Sequence, residues 1–282
     1  MKKTIFPTVG SLILIFVSGH RLLAQSTNAE VSIFPDKNLE AAVRKYVFEK
    51  RETTKPITEA DVVNLSTIHA PGAQIKDLTG VEKCRSLASL DLAKNNITNV
   101  APLRELANVQ YLNLADNQIE DISPLSGMKA LQYIELSNNR VKEVTPLSSL
   151  TNLASLYLSN NKITDIAPLL NLRRLWSLYL DNNGLQSIKG IAAVANLSSL
   201  SLNKNRIADI SALEGLNGLY YLFLENNKIS DATPLAKALK RDFEGEKRFA
   251  PYVNMFHAGN PLNSSSKKQL SAMKEQGLRI NF

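Results

Sequence analysis

The 282 residues predict an α/β solenoid, a stack of coils that each give one short strand to a parallel sheet. Three observations carry that expectation. From Leu87 to Leu239 one pattern returns every 22 residues without a gap. Each copy holds an alternating apolar pair, such as Leu90 and Leu92, Ile134 and Leu136, Leu178 and Leu180, or Leu222 and Leu224. Three residues further on stands an asparagine: Asn95, Asn117, Asn139, Asn161, Asn183, Asn205 and Asn227.

The unit reads L-x-x-L-x-L-x-x-N-x-I-x-x-I-x-P-L, and a period of about 20–29 residues with this form is the signature of a leucine-rich repeat. The full expectation is a right-handed superhelix with a parallel concave sheet, a helical N-terminal cap and a helical C-terminal cap. Alternation of period two sends Leu90 and Leu92 inward and their neighbours outward. Asparagine adds nothing to hydrophobic burial. Its amide carries donors and an acceptor, which satisfy backbone groups where the chain leaves the strand. In register from coil to coil it becomes a ladder.

On the return leg Pro102, Pro124, Pro146, Pro168 and Pro234 each precede Leu. Proline suits a first helical position, so each starts a short 3-10 or helical turn. Asp121, Glu143, Asp165, Asp209 and Asp231 lie just upstream, placed to cap those turns. Arg140, Lys162, Arg206 and Lys228 form a basic column nearby, read here as a solvated flank of interleaved charge.

Residues 1–24 stand apart from the rest. Lys2 and Lys3 precede the short apolar run Ser11 to Val17, and Gly19 or Ala24 offers a small residue for cleavage. That is the form of a secretory signal, with a run too short to span a bilayer comfortably. Removing Lys2, Lys3 and Arg21 lowers the formal charge from +7 to +4, which does not point to nucleic acid. The expected location is secreted or periplasmic, with no stable membrane anchor after cleavage. Cys84 is the one cysteine, so an intramolecular disulfide scaffold is excluded and a buried thiol is expected.

Residues 30–64 lack the repeat and form the predicted N-terminal cap. Asp36 is placed to cap a helix whose apolar face holds Leu39, Ala42, Val43, Tyr46 and Val47, and Thr58 with Asp61 marks a second helix start. Residues 65–239 make eight coils. The first is worn, with Ala73 where the asparagine belongs. Residues 240–282 hold an insertion, a partial last repeat and the C-terminal cap. Met255, His257, Asn260 and Leu262 repeat the strand pattern 33 residues after Leu222, Leu224, Asn227 and Ile229. The extra residues, near Lys240 to Ala250, are charged and predict a helix extension or surface loop. A helix from Ser266 to Gln276 follows, then an alternation of Leu278, Ile280 and Phe282.

The repeat ending N-x-I-x-x-I-x-P-L resembles the internalin class of bacterial leucine-rich-repeat proteins. So do Ile33-Phe-Pro-Asp-Lys-Asn-Leu39, Ile57-Thr-Glu-Ala-Asp61 and Ile75-Lys-Asp-Leu-Thr-Gly-Val81, which are similar to that class's helical cap and first repeat. The resemblance covers about Val31 to Leu262 and implies a protein that binds protein partners through its concave face. The sequence shows no C-terminal sorting motif, no lipid-acceptor cysteine after the signal and no following immunoglobulin-like domain.

Nothing in the motifs predicts catalysis or a cofactor. The three histidines, His20, His69 and His257, lack metal-ligand spacing, and nucleophile-elbow and phosphate-loop signatures are missing. Asp91, Glu135, Asp181 and Glu225 face outward on different coils. The concave columns carry Tyr111, Tyr133 and Tyr221 in one row and Tyr157, Tyr179 and Phe223 in the next, with Trp176 and Tyr220 at the rim and serines between. Aromatic residues are enriched at protein interfaces. The expected function is therefore an exported, non-enzymatic module that binds a protein ligand at Tyr111, Tyr133, Tyr157, Trp176, Tyr179, Tyr221 and Phe223. The alternatives are a structural envelope protein and a carbohydrate-binding module.

Overall fold

The structure is a computed structural model that describes residues 31–248 and 251–281. The expected signal, residues 1–24, and the terminal Phe282 lie outside the described residues. Among the described residues ten three-residue strands run parallel in one open sheet whose spatial order is the chain order. They are β1 (Thr67–His69), β2 (Ser89–Asp91), β3 (Tyr111–Asn113), β4 (Tyr133–Glu135), β5 (Ser155–Tyr157), β6 (Ser177–Tyr179), β7 (Ser199–Ser201), β8 (Tyr221–Phe223), β9 (Asn254–Phe256) and β10 (Arg279–Asn281).

The 22-residue period becomes register. Leu90 pairs with Leu112, Leu112 with Ile134 and Ile134 with Leu156, so one apolar column runs through the array. Leu90, Leu92, Ile97, Leu103 and their equivalents are fully buried, joined coil to coil in one core. The sequence break near Leu235 leaves the sheet intact, because Leu222 pairs with Met255 across the longer connection. The extra residues are absorbed by α3 (Thr233–Glu244), which Pro234 starts.

Each ladder asparagine works in both directions. Asn161 accepts from Val141 N at 2.9 Å and donates to the carbonyls of Leu136 and Leu158, both at 3.0 Å. Asn95, Asn117, Asn139, Asn183, Asn205 and Asn227 repeat the pattern. Asn260 extends it by one coil, accepting from Ile229 N at 3.2 Å.

The residue just before each ladder asparagine has positive φ: Lys94, Asp116, Asn138, Asn160, Asn182, Lys204 and Asn226, with Gly259 at the equivalent place. Asparagine and aspartate enter that region more readily than other non-glycine residues, which explains the paired Asn-Asn at 138–139, 160–161, 182–183 and 226–227. The exposed members also bond each other. Asn138 donates to Asp116 at 2.8 Å, Asn160 to Asn138 at 2.7 Å and Asn182 to Asn160 at 2.8 Å.

On the outer legs the proline turns form at Ala101–Leu103, Ser123–Gly127, Thr145–Leu147 and Ala167–Leu169. Asp121, Asp165, Asp209 and Asp231 accept from the backbone N–H two residues on, at Ser123, Ala167, Ser211 and Thr233. Glu143 makes no such bond, a departure from the expectation. Its extra methylene carries the carboxylate past the short loop that aspartate closes.

At the N-terminal end α1 (Lys37–Arg44) is capped by Asp36, which accepts from Asn38 N and Leu39 N. The helix is shorter than its apolar face suggested. Tyr46 lies beyond it, where its hydroxyl accepts from His69 N at 3.0 Å and covers the edge of β1. The second helix, α2 (Glu59–Val62), starts as expected, with Asp61 accepting from both Thr58 N and Thr58 Oγ1. At the other end α4 (Ser264–Glu275) packs on β10, so the final alternation is a tenth strand of the sheet. Cys84 is fully buried and its thiol is pushed up to about 12, chiefly by that burial.

Candidate functional site

The face of the sheet away from the core is built from two positions per strand. The first column runs Ser89, Tyr111, Tyr133, Ser155, Ser177, Ser199 and Tyr221; the second runs Asp91, Asn113, Glu135, Tyr157, Tyr179, Ser201 and Phe223. Register alone places Tyr111 beside Tyr133 and Tyr157 beside Tyr179.

Ring contacts change the pattern the rows suggest. Tyr111 and Tyr133 stack at 4.5 Å between centroids, Tyr133 meets Tyr157 at 5.4 Å, and Tyr157 meets Tyr179 at 5.0 Å. The four rings form one diagonal that crosses from the first column to the second. Tyr221 is not part of it, because Ser155, Ser177 and Ser199 intervene in its column. It joins a second cluster, with Phe223 at 6.1 Å and Phe223 stacked on Phe256 at 4.8 Å.

Trp176 makes no ring-to-ring contact among the described residues and stands 59 % exposed at the rim. The seven expected residues thus fall into two ring clusters, with Trp176 at the rim outside both. Phe256 and Tyr252 were absent from the expected site; Tyr252 pairs at 6.4 Å with Tyr220, which the sequence places at the rim. The shift of 33 residues that aligned Met255 with Leu222 also aligns Phe256 with Phe223, so that signal was present.

Between the clusters the face is low and polar. Ser199 and Ser201 are buried, and the Tyr179 hydroxyl shares a hydrogen bond with Ser199 Oγ at 2.9 Å. Asp181 organises this floor. It accepts from Ser201 Oγ, from Asn203 N at 2.7 Å and from Ser159 Oγ at 3.1 Å. Its carboxylate holds the scaffold and is committed to it.

Glu135 differs. It sits on β4 between Asn113 and Tyr157, accepts from Ser137 N at 2.7 Å and has no ion pair among the described residues. Burial raises its pKa, with the Asp116 charge adding to the effect and the Ser137 bonds opposing it. Burial also raises the Tyr133 and Tyr111 hydroxyls, with Glu135 and Asp91 respectively as the next cause. Asp91 meets His69 Nδ1 at 3.1 Å. The tyrosine diagonal therefore lies beside a half-buried carboxylate without a cationic partner. The arrangement suits binding: flat half-buried rings, a small polar floor and charge at one side.

Models of leucine-rich repeats match the chain at residues 107–149, 151–193 and 195–237, and a single-repeat model matches at 83–101. None of the curated protein sequences matches. Among solved structures, internalin C2 from Listeria monocytogenes is 33 % identical, with a TM-score of 0.69 over 73 % of this chain and 91 % of that one. A leucine-rich-repeat protein from Leptospira interrogans is 22 % identical, with a TM-score of 0.63 over 76 % of this chain and 52 % of that one. The functional domain of internalin J from Listeria monocytogenes is 22 % identical, with a TM-score of 0.60 over 86 % of this chain and 56 % of that one. At that identity the last two show the fold alone.

Proposed function

The chain belongs to the internalin-like leucine-rich-repeat proteins of bacteria, and from that membership we propose that it is an exported, non-enzymatic protein that binds a protein ligand on its concave face. A leucine-rich-repeat array is a protein-interaction scaffold, since the same short strand is offered repeatedly and each coil varies its outward residues. The observation that carries the reading is the continuous diagonal Tyr111, Tyr133, Tyr157 and Tyr179. Rigid amphipathic rings give large contact area with few torsions to freeze, and such residues dominate interface energetics. The second cluster, with Tyr221 47 % exposed beside Phe223, extends the face toward the C-terminal end. Trp176 belongs at the edge of the same footprint.

Export rests on the basic start and apolar run of residues 1–24. Among the described residues no helix is long and apolar enough to cross a membrane. The test is affinity capture from bacterial and host extracts, with wild type and Tyr157→Ala/Tyr179→Ala compared and glycan binding measured in parallel. A protein captured by wild type and lost by the double variant supports the reading. Glycan binding that depends on Trp176, Tyr220 and Tyr252 instead would move it to a carbohydrate ligand.

A further inference from the structure

A second surface lies in the N-terminal cap, away from the sheet. A cleft of about 340 Å³ opens between α1 and the following segment, lined by Lys37, Glu40, Arg44, Lys45, Arg51 and Thr54 among others. Four of these side chains are cations and one is a carboxylate. That carboxylate is already taken: Glu40 accepts from Lys37 Nζ at 2.8 Å and from Arg44 Nη2. Burial pushes the Glu40 carboxyl up, but its bonds and attraction to Lys37 and Arg44 outweigh this and hold it below the usual value.

Arg44 is occupied as a brace. Its Nη1 donates to the carbonyls of Lys50 and Thr53, both at 3.1 Å, and of Lys55 at 2.8 Å. The loop wall is thus fixed to the helix before any ligand arrives. Lys45 and Arg51 remain, with no carboxylate partner among the described residues, and the Thr54 hydroxyl makes no hydrogen bond there. Glu49 and Glu52, both exposed, are not part of the lining.

Phe48 adds an independent observation. Its ring is 81 % exposed, so burial does not explain its place, yet Arg51 lies over it at 5.3 Å from the centroid. A guanidinium resting on a ring face is held in position while its donors stay open, and its planar fork matches a phosphate oxyanion.

We propose that this cleft is an anion site for a phosphate monoester, with Lys45 and Arg51 gripping the phosphate and Thr54 adding a hydroxyl donor. The cleft is open to solvent and leaves room for a carrier beside the phosphate. Arg51 supplies the paired donors, Lys45 a point charge, and Phe48 keeps Arg51 in place.

The test is titration of the full chain with inorganic phosphate, with a hexose phosphate and with the parent hexose, followed by amide chemical shifts at Ala41 and Thr54. Both phosphates should give saturable shifts, and the hexose none. Lys45→Ala/Arg51→Ala should weaken the hexose phosphate by about tenfold or more, while Lys204→Ala, an exposed cation elsewhere, leaves it unchanged. Phe48→Ala should weaken it while every charge is retained. Melting curves of the variants establish that they are folded, and the exposed positions of Lys45, Phe48 and Arg51 make this the expected result. No saturable shift with the hexose phosphate in the tens of millimolar, equal shifts with the uncharged hexose, or full binding by the double variant would overturn the proposal.

Discussion

Replacing Asn161 with Ala tests the scaffold at its middle, and the structure says which backbone groups suffer. Leu136 O also accepts from Asn139, and Leu158 O also accepts from Asn183, both at 3.0 Å. Ser159 O keeps the bond from Asn138 N at 2.9 Å. Each carbonyl therefore retains a partner. Val141 N does not, because Asn161 Oδ1 is its acceptor at 2.9 Å. One orphaned N–H beneath the sheet sets the cost at about 1–3 kcal/mol. Asn161→Asp should cost more than Ala at neutral pH, since it keeps the acceptor but turns a carboxylate oxygen toward three carbonyls. Urea denaturation followed by circular dichroism reads both variants. An unchanged midpoint for Asn161→Ala, or an Asp variant as stable as wild type, would refute the ladder as described.

Further expectations follow from other contacts. Tyr157→Ala with Tyr179→Ala removes two ring contacts and the Ser199 bond, so stability should fall modestly, on the order of 1 kcal/mol per lost pair, and calorimetry checks it. Glu135→Gln should raise stability at pH 7, because the folded-state pKa lies above the ordinary 4.5 and the ionised form opposes folding. That gain should fade as pH falls through the raised value and be gone below 4.5, so melting curves across pH decide it. Gly259→Ala should destabilise by about 1–2 kcal/mol, since its φ is +74° and a Cβ would meet Asn226 Oδ1 at 2.4 Å. Exported protein should begin near Gln25 by intact mass; full-length protein held in membranes would refute the signal.

The fold was legible because each demand on it repeats. Leu90 alone says little, but the same apolar residue at every twenty-second position specifies strand register, and Asn95 to Asn227 specify which backbone groups need help. The aromatic diagonal was less legible. Strand positions put Tyr133 and Tyr157 in different columns, and only side-chain direction brings their rings to 5.4 Å. The anion cleft in the cap was not legible at all. Lys45 and Arg51 read as ordinary surface charge until Arg44 is seen tying Lys50, Thr53 and Lys55 into a wall. The left-handed column at Asn138, Asn160 and Asn182 was visible as paired asparagines, and its meaning lies in a backbone angle that side-chain periodicity does not report.

The most direct test of the concave-face account is quantitative affinity capture with three proteins: wild type, Tyr157→Ala/Tyr179→Ala, and Lys189→Ala, an exposed site beside an outer-leg turn. With the two anchors together contributing about 2 kcal/mol or more, a partner retained by wild type and by Lys189→Ala should be depleted by about thirtyfold or more on the double variant. A partner held equally by the double variant, with its fold intact, would contradict the account.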